Sequence, residues 1–66
     1  MNTNNIGKNI KSIMEFLEIS QIELSRRTGQ TPAAISQIIN GNRKPSVDSI
    51  LKIMQALGCS FERLLK

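Results

Sequence analysis

The side chains in this sequence that could do chemistry are suited to hydrogen bonding and ion pairing, not to making or breaking bonds. There is no histidine, and Cys59 is the only cysteine. An internal disulfide, a zinc site and a cysteine–histidine pair all need partners that the composition lacks. No glycine-rich phosphate loop is present. Glu15, Glu18 and Glu23 lie close in sequence, but their positions fit an exposed helix surface and a helix cap better than a catalytic pair. The residues therefore weigh against an enzyme, a bound metal or any other cofactor. What remains are amides, hydroxyls and cations spread along the chain. A glutamine amide offers a donor and an acceptor side by side, the pattern that matches the exposed edge of adenine. Lys plus Arg outnumber Asp plus Glu by 9 to 5, a net charge of +4. That balance suits a polyanion, although the placement of the charges has to carry the argument.

These groups must be held by a small scaffold. The 66 residues suffice for one domain, spanning 1–66, with little stability to spare. A hydrophobic content of 39% and a charged content of 21% fit a soluble globular fold. No apolar run approaches the roughly 20 residues needed to span a bilayer. The stretch from Met1 to Asn5 is polar and the apolar residues after it are periodic, unlike a signal peptide. A cytoplasmic location, no membrane partner and no separate domain for a small-molecule effector are the expectations.

Hydrophobic period and capping residues predict five helices and no strand. Ile6, Ile10, Ile13, Met14 and Leu17 form one face of a helix at about 5–18, with Asn4 or Asn5 as its cap. Ser20 and Glu23 make a capping box, and Ile19 and Leu24 a hydrophobic staple, for a helix at 21–28 that stops at Gly29. Thr31-Pro32 starts a helix at 32–39 with Ile35, Ile38 and Ile39 inward. Asn40-Gly41 ends it, and a basic loop follows. Ser46 opens a helix at 46–57, with Ile50, Ile53, Met54 and Leu57 as its buried stripe. Gly58 stops it, and Ser60 caps a short helix at 60–65 containing Phe61, Leu64 and Leu65. Cys59 reads as a small, partly buried hydrophobe.

The second and third helices belong together. Two short helices joined by a tight turn can cross at roughly 90–120°. The crossing needs a small residue at the contact, here Ser25, and a glycine in the turn, here Gly29. Leu24, Ile35 and Ile38 then pack inward, and the third helix shows Pro32, Ala33, Ser36 and Gln37 to solvent. This spacing resembles the helix-turn-helix of the Cro and phage-repressor-like proteins, the Xre family. The resemblance extends through SQIELSRRTGQTPAAISQIINGNRKPSVDSILKIMQALGCSFERLL and, with the first helix, covers nearly the whole chain.

The resemblance implies an all-α, five-helix, lambda-repressor-like DNA-binding domain whose third helix enters the major groove. It implies that Gln21 and Thr31 lie near backbone phosphate, where a helix N-terminus also attracts anions. Ala33, Ser36 and Gln37 match base-facing positions, with Pro32 beside them. Asn40, Asn42, Arg43 and Lys44 would bind phosphates near the dyad of a homodimer, with Cys59 in the region of the dimer interface and Phe61 either there or covering the bottom of the core. Arg26, Arg27, Lys8 and Lys11 read as solvated surface. Three positions depart from the family pattern. Pro32 and Ala33 replace longer polar side chains, which leaves direct base readout thin and gives DNA shape a larger share. Gln30 stands where an apolar residue is common. Met14 and Ile39 stand where several members have a basic residue paired with a glutamate, and they are expected to pack together instead. The reading is a sequence-specific transcriptional regulator, a repressor binding double-stranded DNA as a dimer. The alternative is a helical interaction module or antitoxin-like partner with little direct DNA readout.

Overall fold

The computed structural model describes the backbone from residue 4 to residue 65 and the side chains from residue 5. Five helices follow one another: α1 (Asn4–Leu17), α2 (Gln21–Thr28), α3 (Pro32–Ile39), α4 (Val47–Leu57) and α5 (Phe61–Leu65). No strand occurs among the described residues. The expected boundaries hold to within one residue, as is usual where helix ends fray.

Hydroxyl caps set most of the starts. Ser20, Thr31 and Ser46 are in extended backbone, and each side-chain oxygen accepts the N–H three residues on, from Glu23, Ala34 and Ser49, all at 3.1 Å. Ser60 does the same for the Arg63 N–H at 3.3 Å. Each cap satisfies a donor that the helix leaves unpaired. Two expectations need correction. Asn4 and Asn5 both lie inside α1, so neither caps it, and the residue before them lies outside the described residues. The Glu23 carboxylate does not complete a reciprocal capping box. Its two oxygens lie instead against Arg26 and Arg27.

Each helix contributes one of the most completely buried side chains: Ile10, Leu24, Ile35, Ile53 and Leu64. Ile6, Ile13, Met14, Ile38, Ile39 and Leu57 complete the same core cluster. Met14 and Ile39 are thus both buried in one apolar body. Leu17 departs from the expected stripe and is 41% exposed. The cause is the end of α1. Glu18 adopts a left-handed conformation (φ 58°) and the Ile19 N–H returns to the Met14 carbonyl at 2.9 Å. Ile19, not Leu17, then lies against the core. In α4, Ile53 and Leu57 are buried but Ile50 and Met54 only half-buried, and Ser49 joins the buried face. The short α5 is tied to α1 by Asn9, whose Nδ2 donates to the Leu64 carbonyl at 2.6 Å.

Behind the third helix lies a close backbone contact that the sequence pattern did not announce. Gly7 of α1 is buried where a Cβ would meet the Ile38 carbonyl oxygen and come within 2.6 Å of the Ile39 carbonyl oxygen. These are backbone atoms and cannot swing aside. Alanine normally gains about 1 kcal/mol over glycine inside a helix. Here Gly7→Ala should instead destabilise by about 2 kcal/mol, lowering Tm by roughly 10 °C in thermal unfolding. Glu18→Gly should act the other way, relieving the left-handed residue and raising stability by up to about 1 kcal/mol.

Candidate nucleic-acid interface

The turn between α2 and α3 is built from small polar residues. Gly29 takes a left-handed conformation (φ 75°) that costs glycine nothing, and its N–H closes on the Ser25 carbonyl at 2.9 Å. Ser25 and Thr28 are buried, as the close crossing of α2 and α3 demands. The Ser25 hydroxyl donates to the Gln30 carbonyl. The Thr28 hydroxyl donates to the Leu24 carbonyl at 2.8 Å and accepts the Gln30 N–H at 3.3 Å. Gln30 Nε2 donates to the Ser49 hydroxyl on α4. Gln30 is therefore half-buried at a position where apolar packing is common, and its amide does what an apolar side chain cannot.

This turn delivers α3 with its apolar residues facing the core. Ile35, Ile38 and Ile39 are buried, whereas Pro32, Ala33 and Gln37 are exposed and Ser36 is half-buried. The outer face is the expected one, with a qualification at Ser36: its Oγ accepts Asn40 Nδ2 at 3.4 Å. The Thr31 hydroxyl is likewise engaged in capping α3, although the residue is exposed. Gln37 is thus the exposed polar side chain of this face.

The basic loop is folded back onto α3. The N–H groups of Asn42 and Arg43 both donate to the Gln37 carbonyl, at 2.9 and 3.2 Å. Asn40, Asn42, Arg43 and Lys44 are all exposed, and no ion pair among the described residues involves Arg43 or Lys44. The fold thus brings loop cations to the end of α3 beside its outer face. Gln21 is exposed at the N-terminus of α2, the helix packed across α3. The arginines of α2 are occupied differently. Arg26 and Arg27 pair with Glu23 at 3.3 and 2.9 Å, and Arg27 also donates to the Ala56 carbonyl near the end of α4 at 3.3 Å. A cation there meets the negative end of a helix dipole.

Phe61 and Cys59 part company. Phe61 is 47% exposed and lines an open groove of about 350 Å³ with Ile6, Lys44, Pro45, Val47, Ile50 and Leu65. Cys59 is half-buried against the core, and burial pushes its thiol above the ordinary value, opposed by a backbone hydrogen bond and by Arg63. Sequence reasoning passed over Val47, which lines this groove, and Leu51, one turn on along α4, both of them exposed. Among the described residues no helix is long and apolar enough to cross a membrane, and no group of three metal-ligating side chains forms.

Residues 10–64 match the model of the helix-turn-helix family. The chain is 35% identical over 66 residues to repressor protein C2 of Salmonella phage P22, covering all of this chain and 31% of that protein. It is 38% identical over 58 residues to an uncharacterized HTH-type transcriptional regulator of Mycobacterium tuberculosis, covering 88% of this chain and 41% of that one. The chain thus spans less than half the length of these relatives. Among solved structures, the DNA-binding domain of the P22 C2 repressor superposes with a TM-score of 0.89 at 35% identity, covering 100% of this chain and 87% of that one. The restriction-modification controller protein C.AhdI of Aeromonas hydrophila shares the fold, with a TM-score of 0.87 at 23% identity over 91% of each chain. Its matched span, its five-helix order and its likeness to the P22 domain agree: the chain belongs to the helix-turn-helix family, among the phage-repressor-like proteins.

Proposed function

We infer that this chain binds double-stranded DNA as a transcriptional repressor, with α3 in the major groove. The observation that carries the reading is the seating of the basic loop on the Gln37 carbonyl, which sets cations beside the outer face of α3. From Leu24 to Val47 the chain holds four cations, Arg26, Arg27, Arg43 and Lys44, and no carboxylate. A phosphate backbone would meet Arg43 and Lys44, the exposed N-terminus of α2 at Gln21, and the polar residues Thr31, Asn40 and Asn42. Gln37 would read adenine, Ser36 would contribute a weaker contact, and Ala33 and Pro32 would offer only apolar surface to a thymine methyl. So little direct readout leaves much of the discrimination to DNA shape. The relatives' names as repressor and transcriptional regulators support the same reading. Such a role would place the protein with DNA in the cytoplasm.

The groove at Phe61 supports a homodimer. Val47 and Phe61 leave exposed apolar surface in it, with Leu51 one turn on from Val47, and Lys44 would join the groove to the phosphate-binding loop. Two copies meeting there would set two α3 helices to read half-sites about 34–36 Å apart. Repression would follow from occupancy of a promoter, with no chemical step.

Selection of bound sequences from a random DNA pool should return a palindrome with half-sites about one helical turn apart. Gln37→Ala should relax one base position in each half-site, at about 1–3 kcal/mol. Arg43→Ala and Lys44→Ala should each weaken binding to all sequences and lower the salt slope by about 1. Arg27→Ala should leave that slope unchanged. A protein that binds no duplex at low salt would instead be an interaction module. Sedimentation should show a dimer on the operator, and Phe61→Lys should convert it to a monomer without unfolding it, since Phe61 is half-exposed.

A further inference from the structure

We propose that Gln30 is a positioning residue that fixes the angle of α3 against α4, and so tunes discrimination between DNA sequences at little benefit to stability. The proposal rests on the DNA-binding reading above. Three polar groups of Gln30 are bonded within the fold, each to a hydroxyl. Its N–H goes to Thr28, its carbonyl receives Ser25, and its side-chain amide reaches Ser49. Ser25, Thr28 and Ser49 are all buried. Thus α2, the turn and α4 meet at one residue. The next residue, Thr31, caps α3, so wherever Gln30 is held, the N-terminal end of α3 is held with it.

An apolar side chain would fill this place without direction, because dispersion contacts tolerate sliding where a hydrogen bond does not. The amide link is directional, and it carries a cost. Gln30 Oε1 is buried with no hydrogen-bond partner, a state that natural folds retain at few positions. A residue present only for stability would be better replaced by a hydrocarbon of similar size, because exchanging both polar partners for apolar groups is near neutral or stabilising. Orientation is the property that this cost secures. It matters most where few base contacts exist to correct a misplaced helix, as on the face of Pro32, Ala33, Ser36 and Gln37.

The test separates position from stability. In the free protein, the side-chain amide protons of Gln30 should exchange slowly and shift on Ser49→Ala, while those of the exposed Gln55 should not. The Gln30→Met/Ser49→Ala double variant should melt at or above the wild-type temperature and keep the wild-type salt slope on random duplex DNA. Its ratio of specific to non-specific affinity should fall roughly five- to tenfold. A ratio within twofold of wild type in the folded double variant would overturn the proposal. So would Gln30 amide protons that exchange as fast as those of Gln55, a result that needs no DNA. A wild-type protein with no preferred sequence would overturn the specificity role together with the regulator reading, and the exchange measurement would still decide whether the clamp exists.

Discussion

The approach of α1 to the end of α3 constrains everything else in this domain. Gly7 has no Cβ, so the backbone of one helix can rest on the last carbonyls of another. The contact lies behind the outer face of α3 and fixes how far that helix stands from the body of the domain. Ile38, whose carbonyl takes part in the contact, also accepts the Gly41 N–H at 3.1 Å as the chain leaves the helix. One end of α3 is therefore set by backbone packing against α1. The other end is set by the polar turn against α2 and α4. A helix gripped at both ends can present a face to a ligand without any side chain on that face serving the fold.

That freedom is visible in the distribution of roles. The inward residues of α3 are all isoleucine, stiff at χ1 and suited to a fixed core. The outward residues do almost nothing for the fold: Pro32, Ala33 and Gln37 are exposed, and only Ser36 makes a local side-chain bond. The charges divide in a similar way. Arg27 is engaged by Glu23 and by the end of α4, whereas Arg43 and Lys44 stay exposed in a loop that backbone bonds hold in place. A cation held by its backbone and not by its side chain keeps its charge for a partner. The loop also borders the groove at Phe61 through Lys44 and Pro45, so on the proposed reading phosphate contact and subunit contact would share one short segment.

The sequence by itself determined most of the scaffold. Ser20, Thr31, Ser46 and Ser60 cap where they were expected to, and the isoleucine period chose the buried faces, because caps and periodicity are local and are written within a few residues. The outward face of α3 was legible for the same reason. The sequence also marked Gln30 and the Met14–Ile39 pair as departures from a family pattern, and it pointed to apolar packing for the pair but not to what Gln30 does. Tertiary structure alone decided that Gly7 touches carbonyls more than 30 residues away, that Gln30 reaches Ser49, and that the loop folds onto Gln37. It also turned Leu17 outward, through the left-handed Glu18, and gave Glu23 to Arg26 and Arg27 in place of a reciprocal cap. These contacts depend on the distance and angle between elements, and no local pattern of residue types encodes either.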